Sequence, residues 1–167
     1  MARICISTGS NLGDRLAFLQ QGLDAVAQHI GAVLKVSSVV ETPALGFDGN
    51  SFLNACFLVE TQLLPEQVMQ NLLEIEKEYG RIRSSVKGYK NRTLDLDLLF
   101  YDDEIVQTEN LSLPHPELQK RRFVLQPLAE IASDTIHPVL KKTVAVLLKS
   151  CDDNTPITIH KNGLKIS

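Results

Sequence analysis

Residues 92–101 read Arg-Thr-Leu-Asp-Leu-Asp-Leu-Leu-Phe-Tyr, and few backbones accommodate that order. Apolar side chains recur at Leu94, Leu96, Leu98 and Phe100, a period of two that predicts a strand. The same period throws Asp95 and Asp97 side by side onto the opposite face. Two neighbouring carboxylates repel, and burial raises the cost, so something positive belongs against them. Mg²⁺ meets that need, because two carboxylates leave coordination positions for water and for nucleotide phosphates. The competing reading is a solvent-facing strand edge. Aspartate is depleted in strands and the run around it is apolar, which favours the metal.

The chain has 167 residues, enough to bury a real core, and it reads as one domain over 1–167. Apolar content of 44% with 22% charged residues is ordinary for a globular protein. A net charge of −3 makes no case for a nucleic acid or a membrane as partner. Cys5, Cys56 and Cys151 are widely spaced with no CxxC pair. That predicts reduced thiols in the cytoplasm, neither a disulfide frame nor a zinc site. No signal-peptide core and no membrane-spanning run is visible.

Along the chain, a strand is expected over 3–8, then a glycine-containing turn from Gly9 to Asp14. Asp14 is placed as the N-cap of a helix carrying Leu16, Leu19, Leu23, Val26 and Ile30. The turn is neither GxGxxG nor GxxxxGK[ST], so it is a weak phosphate site and reads better as a tight turn near the active site. Strands follow over 32–42 and 52–61, separated by a Pro- and Gly-rich loop. Phe52 and Asn54 share one strand face, where a ring and an amide suit a flat heterocycle or, more commonly, a core. Pro65 opens a helix with Val68, Leu72, Leu73, Ile75 and Tyr79, and Gly80 ends it.

Residues 81–92 contain Arg81, Arg83, Lys87, Lys90 and Arg92 and no acid. Five cations leading into a diacid strand are the parts for handling a polyphosphate. The loop over 84–91 is expected to be mobile and to close on phosphates through Lys87 and Lys90. A short strand is expected over 104–108. Leu113-Pro114-His115-Pro116 is rigid, and Lys120, Arg121 and Arg122 follow His115 closely. Residues 123–131 read as apolar helix or turn, and 139–149 as a further helix. The tail over 155–167 is expected to fold as a hairpin around Asn162-Gly163.

These motifs, from Gly9-Ser10-Asn11-Leu12 through Phe52-Leu53-Asn54-Ala55 and Gly80-Arg81-Ile82-Arg83, resemble one family. Arg92-Thr93-Leu94-Asp95-Leu96-Asp97 and Pro114-His115-Pro116 with Phe123-Val124-Leu125 strengthen the likeness. The family is 6-hydroxymethyl-7,8-dihydropterin pyrophosphokinase. The resemblance implies a ferredoxin-like α+β sandwich, an antiparallel sheet flanked by helices. It also implies transfer of pyrophosphate from ATP to the pterin hydroxymethyl group, with release of AMP, in folate biosynthesis.

By that likeness Asp95 and Asp97 hold two Mg²⁺, and Arg81, Arg83 and Arg92 contact phosphates. Thr42, Pro43, Leu45, Phe52, Asn54 and Phe123 match pterin-binding positions. Glu76, Lys87, Leu98, Ser112, His115 and Arg121 match ATP-binding positions. The expected partners are the two small molecules, acted on by a monomer. A nucleic-acid-binding module using the basic loop, or a two-metal phosphodiesterase using the diacid strand, is the rival class. The first has no need of Asp95 and Asp97 beside its cations, and the second usually needs more carboxylates.

Overall fold

The computed structural model describes residues 1–43, 51–79 and 93–167. In chain order the elements are β1 (Ala2–Ser10), α1 (Arg15–His29), β2 (Gly31–Val36), β3 (Val40–Thr42), β4 (Phe52–Thr61), α2 (Pro65–Tyr79), β5 (Asp95–Tyr101), β6 (Val106–Gln107), β7 (Ser112–Leu113), α3 (Arg122–Ala132), α4 (Val144–Lys149) and β8 (Thr158–Ile159). β1 lies between β4 and β5 and runs antiparallel to both. β2 and β3 both pair antiparallel with the far edge of β4, and β8 adds to β3. Taking β2 and β3 as one interrupted strand, the order is fourth, first, third, second. This is the ferredoxin-like α+β arrangement expected from the resemblance.

Strand alternation sends two sets of side chains to two cores. On one face Ile4, Ile6, Leu53, Ala55, Phe57, Val59, Leu94, Leu96 and Leu98 pack against α1 and α2. On the other, Cys5, Cys56, Leu99 and Phe100 pack beneath α3 and α4. Each fully buried side chain of this kind contributes about 1.5–3 kcal/mol, so the sheet is held from both sides.

β5 departs from the simple alternation. Its register with β1 shifts between Cys5, opposite Phe100, and Ile6, opposite Leu98. Leu99 is therefore an extra, bulged residue. The bulge turns Phe100 to the α3 face, away from Leu94, Leu96 and Leu98, with which the alternation had grouped it.

Other boundaries also differ from the sequence reading. β1 continues through Gly9 and Ser10 because both pair with β4. The 32–42 stretch breaks at Ser37, whose backbone N–H donates to the Cys56 carbonyl at 3.0 Å while its hydroxyl accepts from the Cys56 N–H at 2.9 Å. The last helix begins only at Val144, because Lys141 adopts a φ of 60° and Thr143 caps the new start. In the tail, β8 pairs with β3, where a hairpin around Asn162-Gly163 had been expected. β6 pairs with β7 in a separate small sheet. Among the described residues no helix is long and apolar enough to cross a membrane.

Gly31 faces Thr61 in the β2–β4 ladder, and a Cβ there would run into the Glu60 carbonyl oxygen. Backbone cannot give way as a side-chain tip can. Gly31→Ala is expected to destabilise the fold by about 3 kcal/mol, the upper end of overpacking costs. Urea unfolding of the two proteins measures it, and equal midpoints would show that the β2–β4 register is looser than described.

Candidate functional site

The α3 face of the sheet carries Phe52, Asn54, Asp95 and Asp97 at one end. Gly9 of β1 pairs with Asn54 of β4 on one side and with Asp95 of β5 on the other. Ser7 pairs in the same way with Cys56 and Asp97. Residues paired across a sheet point to the same face, so Asn54, Gly9 and Asp95 form a row across three strands. Two strand spacings put its ends about 10 Å apart. On β3, Val40 lies opposite Asn54, and Thr42 lies opposite Phe52, two residues further along the strand.

Gly9 is what keeps this row open. A Cβ on it would lie 2.7 Å from Asn54 Oδ1, so the amide lies folded over the bare backbone. Asn54 is 8% exposed, and its Nδ2 has no hydrogen-bond partner among the described residues. A buried unpaired donor costs roughly 1–3 kcal/mol, which a ligand acceptor would recover. Sequence reading placed Gly9 in a turn near the active site and missed its place in the strand beneath Asn54; the available signal was a glycine at the end of a strand pattern, which marks a close approach.

Around the row, the neighbouring residues are fastened individually. Glu76, 3% exposed, accepts from the Leu96 N–H at 2.8 Å, so α2 holds β5 at the residue between the two aspartates. Leu98 is buried in the α1–α2 core. Its predicted nucleotide contact is therefore open to its backbone alone. Arg15 Nη1 donates to Glu41 Oε2 at 2.7 Å, and to the Ser51 carbonyl and hydroxyl, each at 2.9 Å. Ser51 Oγ donates to the same Glu41 oxygen at 2.7 Å. The hydrogen bonds from Ser51 and Arg15 hold the Glu41 carboxyl below its ordinary value. This clasp fixes Thr42 and Phe52, the residues next to Glu41 and Ser51.

α3 crosses β4 at Cys56, whose Sγ lies 3.7 Å from the Val124 carbonyl. Phe123 is thus one residue from the crossing, and the Arg121 guanidinium lies 5.9 Å from its ring centroid. His115 is tied to the bulge of β5: its N–H donates to the Leu99 carbonyl at 3.0 Å. Its Nδ1 accepts from the Glu117 N–H at 3.1 Å, which leaves the ring proton on Nε2. Ser112 sits on β7, two residues before Pro114. Burial pushes the Cys5 thiol up to about 12 and raises Cys56 as well, so neither is a nucleophile at neutral pH.

Leu45, Arg81, Arg83, Lys87 and Arg92, with the 84–91 loop and the Gly80 stop, lie outside the described residues. Among those described, no three His, Cys, Asp or Glu side chains group as a metal site; Asp95 and Asp97 form a pair. A cleft of about 890 Å³ opens at the opposite end of the sheet, lined by Arg3, Lys35, Phe100, Glu130, Ile136 and Lys141. It contains none of the predicted site residues and no unpaired buried donor. The chemistry therefore points to the Gly9 row.

Burial lowers the pKa of His115, helped by Arg121 and opposed by Glu117 and Asp95. Burial also lowers that of His137, whose Nδ1 accepts from the N–H groups of Val139 and Leu140. Between the folded values and the ordinary value near 6.5, the unfolded chain binds more protons, so stability falls as pH drops through that window. Histidine NMR titration is expected to place both midpoints below the ordinary value. A His115 midpoint above it would contradict the neutral ring described.

Residues 5–133 match the model of the 7,8-dihydro-6-hydroxymethylpterin-pyrophosphokinase (HPPK) family. A 2-amino-4-hydroxy-6-hydroxymethyldihydropteridine pyrophosphokinase of Aquifex aeolicus is 36% identical over 143 residues, covering 85% of this chain and 88% of the relative. The folic acid synthesis protein fol1 of Pneumocystis carinii is 39% identical over 152 residues; the match covers 90% of this chain but 20% of that much longer protein. The crystal structure of wild-type Plasmodium falciparum HPPK-DHPS with pteroate superposes with a TM-score of 0.72 at 14% identity, covering 89% of this chain and 44% of that one. That last likeness speaks for the fold, and the sequence matches speak for descent. The chain belongs to the 7,8-dihydro-6-hydroxymethylpterin-pyrophosphokinase family.

Proposed function

We propose that this chain transfers pyrophosphate from ATP to the hydroxymethyl group of 6-hydroxymethyl-7,8-dihydropterin, in folate biosynthesis. One observation carries the reading: a buried Asn54 donor with no partner among the described residues stands across a glycine floor from the Asp95–Asp97 pair. Asn54 binds the edge of the pterin, Thr42, Pro43 and Leu45 complete that edge, and Phe52 and Phe123 take its two faces. The hydroxymethyl group then reaches toward the carboxylate end of the row.

In the reaction the pterin oxygen bonds to the β-phosphorus of ATP, and the bond from that phosphorus to the α-bridging oxygen breaks. AMP leaves with the bridging oxygen, and the hydroxyl proton is released. Such transfers depend on positioning and charge neutralisation more than on a protein nucleophile. Asp95 and Asp97 are an oxygen donor set that suits Mg²⁺, leaving positions for water and phosphate. Two such ions, when bound, neutralise charge on the triphosphate. Arg81, Arg83, Lys87, Arg92 and Arg121 supply fixed or flexible positive charge to the phosphates. His115 presents its Nε2–H to the nucleotide, and Glu76, the Leu98 backbone and Ser112 line its side of the site. We read residues 1–167 as one pyrophosphokinase domain, a cytoplasmic monomer whose buried, free Cys5 and Cys56 suit a reducing compartment.

The test is turnover of ATP and the pterin, followed by ³¹P NMR. AMP and a pterin diphosphate are the expected products; ADP with a pterin monophosphate would overturn the reading. Asp97→Ala is expected to lower turnover by on the order of 10²-fold or more with the fold intact. Wild-type turnover that persists in excess chelator would remove the metal from the account.

A further inference from the structure

The start of α3 carries Arg121 and Phe123, and its own sequence gives it a poor beginning. Arg121 occupies the N-cap without a side-chain hydrogen bond, and no acid lies in the first turn. Lys120, Arg121 and Arg122 instead crowd cations against the positive end of the helix dipole. What stabilises the start comes from 31 residues away: Asp153 Oδ2 accepts from the Arg122 N–H at 3.1 Å. Asp153 Oδ1 accepts from Thr155 N–H at 2.9 Å and from Thr155 Oγ1 at 2.6 Å. These bonds orient the carboxylate, and, with Thr155 foremost, hold its pKa below the ordinary range.

Beyond Asp153 the tail is fastened to the other side of the site. Thr158 and Ile159 pair with Glu41 and Val40 of β3, and the His160 N–H donates to the Val39 carbonyl at 2.8 Å. Lys165 N–H donates to Gln20 Oε1 at 3.0 Å, and Gln20 Nε2 returns a bond to the Lys165 carbonyl at 2.9 Å. One segment thus ties the helix start bearing Phe123 to the strand bearing Thr42 and to α1. The family match ends at residue 133, so the tail segment that makes these bonds lies beyond it.

We propose that Asp153 is a positioning residue for the transfer reaction: by capping α3 from the tail it sets Phe123 and Arg121 against the pterin and the phosphates. This rests on the functional reading above. Asp153 touches no substrate itself. Its removal lets the first turn of α3 fray, and the ring and guanidinium it carries lose their place.

Steady-state kinetics of Asp153→Ala, with thermal unfolding measured beside it, tests the role. The expected result is a KM for the pterin raised about tenfold, on protein still folded at the assay temperature, with a smaller change in kcat. Hydrogen exchange at Phe123 and Val124 is expected to quicken while the amides of α1 stay protected. Asp153→Asn keeps one acceptor oxygen without the charge and is expected to fall between; it also decides the matter if the alanine variant fails to fold. A role in stability alone would lower the active fraction and leave KM unchanged, and that result overturns the proposal. Wild-type protein that fails to turn over the pterin overturns the functional reading itself, and Asp153's role with it.

Discussion

The pairing of β1 with both β4 and β5 is the constraint on which the site depends. It sets Gly9 between Asn54 and Asp95, and Ser7 between Cys56 and Asp97. A slip of one residue on either side would turn the amide or the carboxylates to the opposite face. The register is held where the strands are most apolar, at Ile4, Ile6, Phe57 and Leu98. Burial of the core therefore fixes the distance between the two polar ends of the row, though no core residue belongs to it.

The bulge at Leu99 makes the second connection. A regular β5 would leave Phe100 with the α1–α2 core and give α3 less to cover. With the extra residue, Leu99 and Phe100 both join the core beneath α3, and the Leu99 carbonyl accepts from His115. The segment around His115 is thereby fastened to the same strand that bears the aspartates. Helix α3, β5 and the Ser112–His115 stretch meet the site as parts already locked to one another, which is the precondition for holding phosphates in one geometry.

Much of this was legible in the sequence because the signals are local. The period of two around Asp95 and Asp97, the apolar repeat of α1 and α2, the Asp14 cap and the 52–61 strand all came from neighbours along the chain. The bulge was not legible, since it is a mismatch between β1 and β5, far apart in sequence. The break at Ser37 needed Cys56 to be known as its partner. The helix over 139–149 was overread because apolar spacing says nothing about the turn at Lys141. Glycine at position 9 was visible as a motif residue, but its reason, the Asn54 amide over it, exists only across the sheet. Asp153 gave no signal at all: a capping acid normally sits within its own helix turn.

The central claim is that a bare glycine between Asn54 and Asp95 makes the pterin seat, and Gly9→Ala tests it most directly by calorimetric titration with pterin and, separately, with an ATP analogue. Displacing Asn54 would remove its proposed hydrogen bond to the pterin, so pterin affinity is expected to fall by roughly tenfold or more, with affinity for the ATP analogue and the unfolding temperature little changed. Unaltered pterin affinity in a folded Gly9→Ala protein would contradict the account.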